Sequence, residues 1–234
     1  MNMTRAELKI NARRELRGNW GWAILVSLTI TVIYWLLFVH GTNSSLQVAN
    51  DLNAAVDSDQ GLIFNPTFWA GRVLGGTGLD LLGGFFMLSM VITFLALARG
   101  HRFSFFKSIF SVFTNNRFVP ELLNYILSYI FQILWTCLLI IPGIVKSYSY
   151  ALTPYIVSDL VDSGQEVHAT TGINESRRLM NGHKWELFVL DLSFIGWYFI
   201  VILTLGIANL WVLPYVQTTK ANFYRNLAGD QFRQ

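Results

Sequence analysis

The sequence predicts an all-α polytopic membrane protein with about six transmembrane helices and short amphipathic helices at the interface. Composition points there first: of 234 residues, 53% are apolar and only 13% are charged, about half the charged fraction of an ordinary soluble domain. The apolar runs reach the roughly 20 residues that a helix needs to cross a bilayer. They leave little chain for a separate soluble domain, so residues 1–234 are expected to form one integral membrane domain. Charge supplies the third, independent observation. Fifteen of the seventeen Lys and Arg residues fall in four stretches that six crossings would place on one side, as cytoplasmic loops require.

The arm 1–19 is expected to be a cytoplasmic amphipathic helix on the inner leaflet. Thr4-Arg5-Ala6-Glu7 has the spacing of a capping box, Leu8, Ala12 and Leu16 recur every fourth residue, and Gly18 is a stop. The first span follows from Trp20 to Val39, too long for a signal-peptide core and with no clean small-residue cleavage site behind it. A polar stretch, 41–78, carries Asp51, Asp57 and Asp59 with Arg72 as its one basic residue, and is expected to be an external loop. The second span, Leu79 to Ala98, runs into Arg99, His101, Arg102 and Lys107, which place its end inside. From Ser104 to Asn115, Phe106, Ile109, Phe110 and Phe113 follow helical spacing opposite Lys107, Ser108 and Ser111, an interfacial pattern.

Between Glu121 and Asp159 the chain is too long for one helix, and Pro142-Gly143 favours a turn. The expected hairpin has the arms Leu122 to Ile141 and Ile144 to Leu160, the second being short enough either to cross or to re-enter. The segment 161–185 is expected to be a cytoplasmic loop with its own helix. There Ser163-Gly164-Gln165-Glu166 has the spacing of a second capping box, and Ala169, Ile173, Ser176 and Met180 make a narrow face ending before Gly182. The fifth span is Leu187 to Thr204, Leu205-Gly206 turns outside, and the sixth is Ile207 to Phe223. Both termini are then cytoplasmic, and Arg72 and Lys146 are the outward basic residues.

Polar groups inside spans are the candidates for function, because a charge at the helix centre costs roughly 2.5 to 3.5 kcal/mol on insertion scales. Asp191 in the fifth span is the first of these, able to bind a cation, relay a proton or serve as a structural carboxylate. Lys146, Tyr148 and Tyr150 on the fourth span and Gln217 on the sixth complete a candidate polar intramembrane site. Both spans contain a proline, Pro154 or Pro214, whose freed carbonyls need partners, so each helix lines a cavity or packs as a kinked helix. Arg13, Arg14, Arg177, Arg178 and Lys184 are candidate contacts for anionic lipid headgroups.

Several function classes are disfavoured. A pI near 9.1 and a net charge of +3 would suggest nucleic acid in a soluble protein, but here the basic residues adjoin apolar spans, so membrane lipids are the expected partners and nucleic acid is not. Cys137 is the only cysteine, which leaves no disulfide framework or thiol metal site. His40, His101, His168 and His183 lack metal-ligand spacing, and no HExxH, GxSxG or paired acidic motif occurs. The glycines from Gly71 to Gly78 lack the phosphate-loop pattern. No enzyme activity, cofactor or metal is expected.

The run Leu138-Leu139-Ile140-Ile141-Pro142-Gly143-Ile144-Val145-Lys146, with Tyr148, Tyr150 and Asp159, is followed by Ser176-Arg177 and Met180-Asn181-Gly182-His183-Lys184. Then come Leu192-Ser193-Phe194-Ile195-Gly196-Trp197, Gly206-Ile207, Leu210-Trp211, Pro214-Tyr215 and Phe223-Tyr224. In that order these motifs, with Gly18-Asn19-Trp20, resemble the bacterial integral membrane family called domain of unknown function 975, over nearly the whole chain except the outer loop. The resemblance implies a multi-pass protein of a bacterial cell membrane and carries no activity to particular residues. The expected role is non-enzymatic support or regulation of an envelope process through lipids or other membrane proteins. The alternative is a small permease or export component with a polar site between the fourth and sixth spans.

Overall fold

The computed structural model describes residues 3–57, 78–114, 117–138 and 140–233, and among them the chain is all-helical with no strand. Three segments are long and apolar enough to cross a membrane: Trp20–Leu37, Phe118–Thr136 and Lys184–Leu203. Leu82–Ala98 is a shorter apolar helix. The chain divides into two compact units, Thr29–Met87 and the combination of Met1–Leu28 with Leu88–Gln234.

The smaller unit is built from most of α2 (Trp20–Asp57) and the first half of α3 (Gly78–Ala98). A Cβ on Gly83 would stand 3.0 Å from the Tyr34 ring, so the glycine permits this close approach. The polar stretch expected as a loop is helical as far as Asp57. Its sequence explains why. No proline lies between Thr42 and Asp57, and a single glycine such as Gly41 costs a helix only about 1 kcal/mol. Residues 58–77, with Asp59, Arg72 and the glycines Gly71, Gly75 and Gly76, lie outside the described residues.

The larger unit begins with α1 (Arg5–Leu16), where the capping box forms: the Glu7 N–H donates to Thr4 Oγ1 at 3.3 Å and the Thr4 N–H donates to the Glu7 carboxylate at 2.6 Å. Leu8, Ala12 and Leu16 are buried, and Gly18 turns the chain at φ +83°. The helix packs along α11 (Asn209–Ala228) rather than lying by itself. Between Ser104 and Phe118 stand α4 (Phe105–Ile109) and a 3-10 turn, Ser111–Phe113. The face is the reverse of the expected one in part: Ser108 and Ser111 are buried, whereas Phe106, Phe110 and Phe113 are exposed. Hydrogen bonds explain the inversion, since the Thr93 hydroxyl donates to Ser108 O and the Ser111 hydroxyl to Ser89 O.

The expected hairpin is present, with a different break. Helix α5 (Phe118–Leu138) is followed by α6 (Ile140–Tyr150) and α7 (Thr153–Asp162), which pack back along it. Pro142 and Gly143 lie inside α6, not in the turn. Pro142 is the third helical residue, where the N–H has no intrahelical partner to lose. Gly143 lets the arms touch: the Gln132 side chain donates to Gly143 O at 2.7 Å, and a Cβ there would meet Thr136 Oγ1 at 2.8 Å. Pro154 likewise starts α7 after a break at Ala151-Leu152 instead of kinking a continuous span.

Ser163-Gly164-Gln165-Glu166 caps no helix start. It ends α7, with Gly164 at φ +75° and its N–H on Val161 O, and the Gln165 N–H on Leu160 O, the Schellman pattern that satisfies the last carbonyls. The glycine outweighs the capping-box spacing. The next helix, α8 (Thr171–Leu179), buries Ile173 and Ser176, with Met180 buried at its end, as the periodicity predicts, and Gly182 closes it at φ +84°. The expected fifth span comprises α9 (Lys184–Leu192) and α10 (Ile195–Leu203), separated at Ser193-Phe194. Leu205 and Gly206, both at positive φ, turn the chain into α11.

Candidate functional site

Asp191, Tyr148 and Gln217 come together from α9, α6 and α11. They line one cavity of about 340 Å³ with Pro154, Tyr155 and Lys220. Lys220 Nζ lies 2.9 Å from Asp191 Oδ1, and the Tyr148 hydroxyl reaches Asp191 Oδ2 at 3.5 Å. Ring contact between Tyr148 and Phe188, 5.8 Å between centroids, holds α6 against α9. The carboxylate therefore already has a cation partner. That pairing explains how an acidic residue is carried within an apolar segment, because its charge is met by Lys220. The cavity could still receive a small polar solute, but a solute binding Asp191 as a cation would have to displace Lys220.

Lys146 and Tyr150 do not join this cavity. Tyr150 is half-buried at the end of α6. Lys146 lines a different groove, of about 420 Å³, with Arg177, Arg178 and Lys184, joined by Ser149, Asn174 and Asn181. Lys146 and Arg177, expected on opposite sides, thus line one groove. The cause is the early start of α6: with Pro142-Gly143 inside the helix, Lys146 lies on its second turn, against which α8 and α9 pack. Arg178 is paired with Glu175 at 2.5 Å. Lys146 sits 4.4 Å over the Trp135 ring. Among the described residues, no carboxylate pairs with Lys146, Arg177 or Lys184. Exposed Ile141, Ile144 and Val145 on α6, and Trp185 on α9, adjoin these cations in sequence.

Of the other candidate headgroup contacts, Arg13 lies 5.3 Å over the Tyr215 ring of α11. Arg14 donates to Asn11 at 2.7 Å. Neither reaches the groove. Lys9 beside them donates to Ser193 O at 3.0 Å, and burial, then Arg13 and Arg5, pull its pKa down.

Other residues of these sites were open to sequence reading. Gln217 and Lys220 are three apart on a helix, so they share a face. Asn174, Arg177, Arg178 and Asn181 are likewise spaced by three and four. A deeper ion network had no such signal. Arg99 makes a two-pronged pair with Asp159, one N–H at 2.6 Å from Oδ2, and the Tyr224 hydroxyl donates to the same oxygen at 2.6 Å. Arg117, 4% exposed, donates to Ser158 Oγ at 2.9 Å and to Asp162. Glu121, one turn along, is buried with Oε1 unpartnered. These partners are about 40 to 65 residues apart, beyond any local spacing rule.

Among the described residues no cluster of His, Cys, Asp and Glu is able to hold a metal ion. No curated protein and no solved structure matches the chain. A family model does, over residues 1–153 and 137–231. The chain thus belongs to the family described as protein of unknown function (DUF975).

Proposed function

We propose that this is a non-enzymatic, multi-pass protein of a bacterial cell membrane that supports or regulates an envelope process by holding anionic lipid at its cytoplasmic face. The observation that carries the reading is the groove in which Lys146, Arg177 and Lys184 converge without a paired carboxylate among the described residues, close in sequence to exposed apolar side chains. Four cations placed together in hydrocarbon would cost roughly 10 kcal/mol or more, so the groove belongs at headgroup level. With Arg177 cytoplasmic by the charge distribution, Lys146 is cytoplasmic too. The hairpin of α5 to α7 then enters and leaves from the inside; Trp20–Leu37 and Lys184–Leu203 are long and apolar enough to cross, and α3 and α11 would return the chain to the inside. Both termini remain cytoplasmic. Exposed Phe199, Ile202 and Leu203 on α10 are suited to lipid tails.

Each cation near an anionic surface contributes about 1 kcal/mol. A Lys146→Gln, Arg177→Gln, Lys184→Gln variant should therefore lose about 3 kcal/mol of preference for phosphatidylglycerol over phosphatidylcholine, roughly a hundredfold. The measurement is the lipid retained by purified protein in mixed micelles, counted by native mass spectrometry. Equal retention by variant and wild type would reject the reading.

The cavity of Asp191, Tyr148, Gln217 and Lys220 favours a second reading, a small permease or export component. Liposome flux of a solute that stops in Asp191→Asn would support it, and no flux across a broad solute panel would oppose it.

A further inference from the structure

We propose that a second cavity in the larger unit is a binding site for a phosphate-bearing anion, either free phosphate or the phosphomonoester head of a lipid. Its volume is about 260 Å³, and Arg99, His101, Lys107, Arg117 and Arg233 face it, with Asp162 as the single carboxylate in the lining among the described residues. The groove of Lys146 shares none of these residues. Ligand pockets for larger organic molecules run from about 300 to 1,000 Å³. The smaller space suits a tetrahedral anion and a few waters.

Charge and burial carry the assignment together. Arg99 is neutralised by Asp159, and Arg233 stands 3.9 Å from Asp230. Among the described residues Lys107 has only the Phe103 ring, at 4.9 Å. Arg117 is paired with Asp162, whose side chain is 52% exposed, whereas its own side chain is 5% exposed. A guanidinium stays charged at any ordinary pH, so withdrawing Arg117 from water creates a demand for negative charge, which Asp162 meets from the solvent side with Glu121 nearby. Burial pulls its pKa down despite Glu121 and Asp159. The tendency of cytoplasmic segments to be basic explains cations in water. It does not explain one withdrawn from water.

The donors also have suitable chemistry. Ser158 accepts from Arg117, leaving its own proton free to donate. Guanidinium forks and a lysine ammonium are the groups that meet phosphate oxygens best, Arg by paired N–H donors and Lys as a point charge. A neighbouring cavity of about 490 Å³ shares Arg99, His101 and Arg233 and adds Arg14 and Arg225, but it also includes Glu15 and Asp230. Two carboxylates make it the poorer anion site.

The test uses the full chain in phosphatidylcholine nanodiscs, titrated with inorganic phosphate, and in discs containing phosphatidic acid without free phosphate. Thermal midpoint is the readout. Lys107→Gln with Arg233→Gln removes two exposed cations and leaves no buried partner unpaired, so its midpoint without anion should equal that of wild type. Wild type should be stabilised in at least one arm, with affinity falling about tenfold for each cation removed. A response to phosphate assigns a free anion, and a response confined to phosphatidic acid assigns a lipid head. No response in either arm, or an equal response from the double variant, overturns the proposal. So does loss of the response in the Lys146, Arg177, Lys184 variant, which would move the anion to the other groove.

Discussion

Replacing Asp159 with Asn isolates the buried network at the centre of the larger unit. Asp159 is 1% exposed and Arg99 12% at the side chain, so water screens the pair weakly. The amide keeps the shape and one oxygen. It removes the negative charge, leaving the Arg99 guanidinium uncompensated and one of its N–H groups facing an NH2. Breaking a buried pair by removing one partner costs roughly 3 to 5 kcal/mol. Because Asn can still accept from Tyr224, about 3 kcal/mol is expected, which lowers the unfolding midpoint by roughly 6 to 12 °C for a chain of this size. Eight tryptophans make intrinsic fluorescence in detergent the natural assay. Tyr224→Phe removes one hydrogen bond and should cost about 1 kcal/mol. Arg178→Gln, breaking the exposed pair with Glu175, should cost under about 1 kcal/mol. If Asp159→Asn shifts the midpoint no more than Arg178→Gln, the network does not support the fold and the reasoning fails.

Gly143→Ala should destabilise by about 1 to 3 kcal/mol, since the new Cβ would stand 2.9 Å from Thr136 Cα, a backbone atom that cannot swing aside; a midpoint equal to wild type would show that the hairpin arms are not in close contact. The Thr4 backbone N–H, then the Thr4 hydroxyl, hold the Glu7 carboxyl below its ordinary pKa. A depressed folded pKa means that the capping contribution is present above the unfolded value of about 4.3 and is lost as pH falls through the lower folded value, so amide exchange in α1 should accelerate across that window. Glu7→Gln should remove this acid dependence, and an unchanged profile would discount the box. With Cys137 replaced, Asp57→Cys should react with an impermeant thiol probe from outside, whereas Arg177→Cys and Lys146→Cys should both need permeabilised membranes. External labelling at Lys146 alone would restore it to the outer side.

Several local signals were legible directly, although the spacing from Ser104 to Asn115 did not set its buried face. The capping box at Thr4, the period of Leu8, Ala12 and Leu16, the stops at Gly18 and Gly182, and the turn at Leu205-Gly206 all stand in the structure as the sequence predicts. Where two local rules conflicted, spacing alone did not choose. Gly164 made a helix end of a stretch spaced like a helix start, and Pro142 was absorbed into a first turn that tolerates it. Asp191, Tyr148 and Gln217 were recognisable separately as polar groups in apolar segments, but their meeting depends on α6, α9 and α11 packing together.

By itself the sequence determined the helical class, three of the expected apolar segments and the basic asymmetry, because each follows from composition or from spacing within a turn or two of helix. Tertiary structure decided which charges face one another. It paired Asp191 with Lys220, joined Lys146 to Arg177 and Lys184, buried Arg117 against α7 and paired Arg99 with its buried Asp159. Those outcomes depend on how helices distant in the chain dock, and the Coulomb energy of two charges depends on their separation in space and on the water left between them.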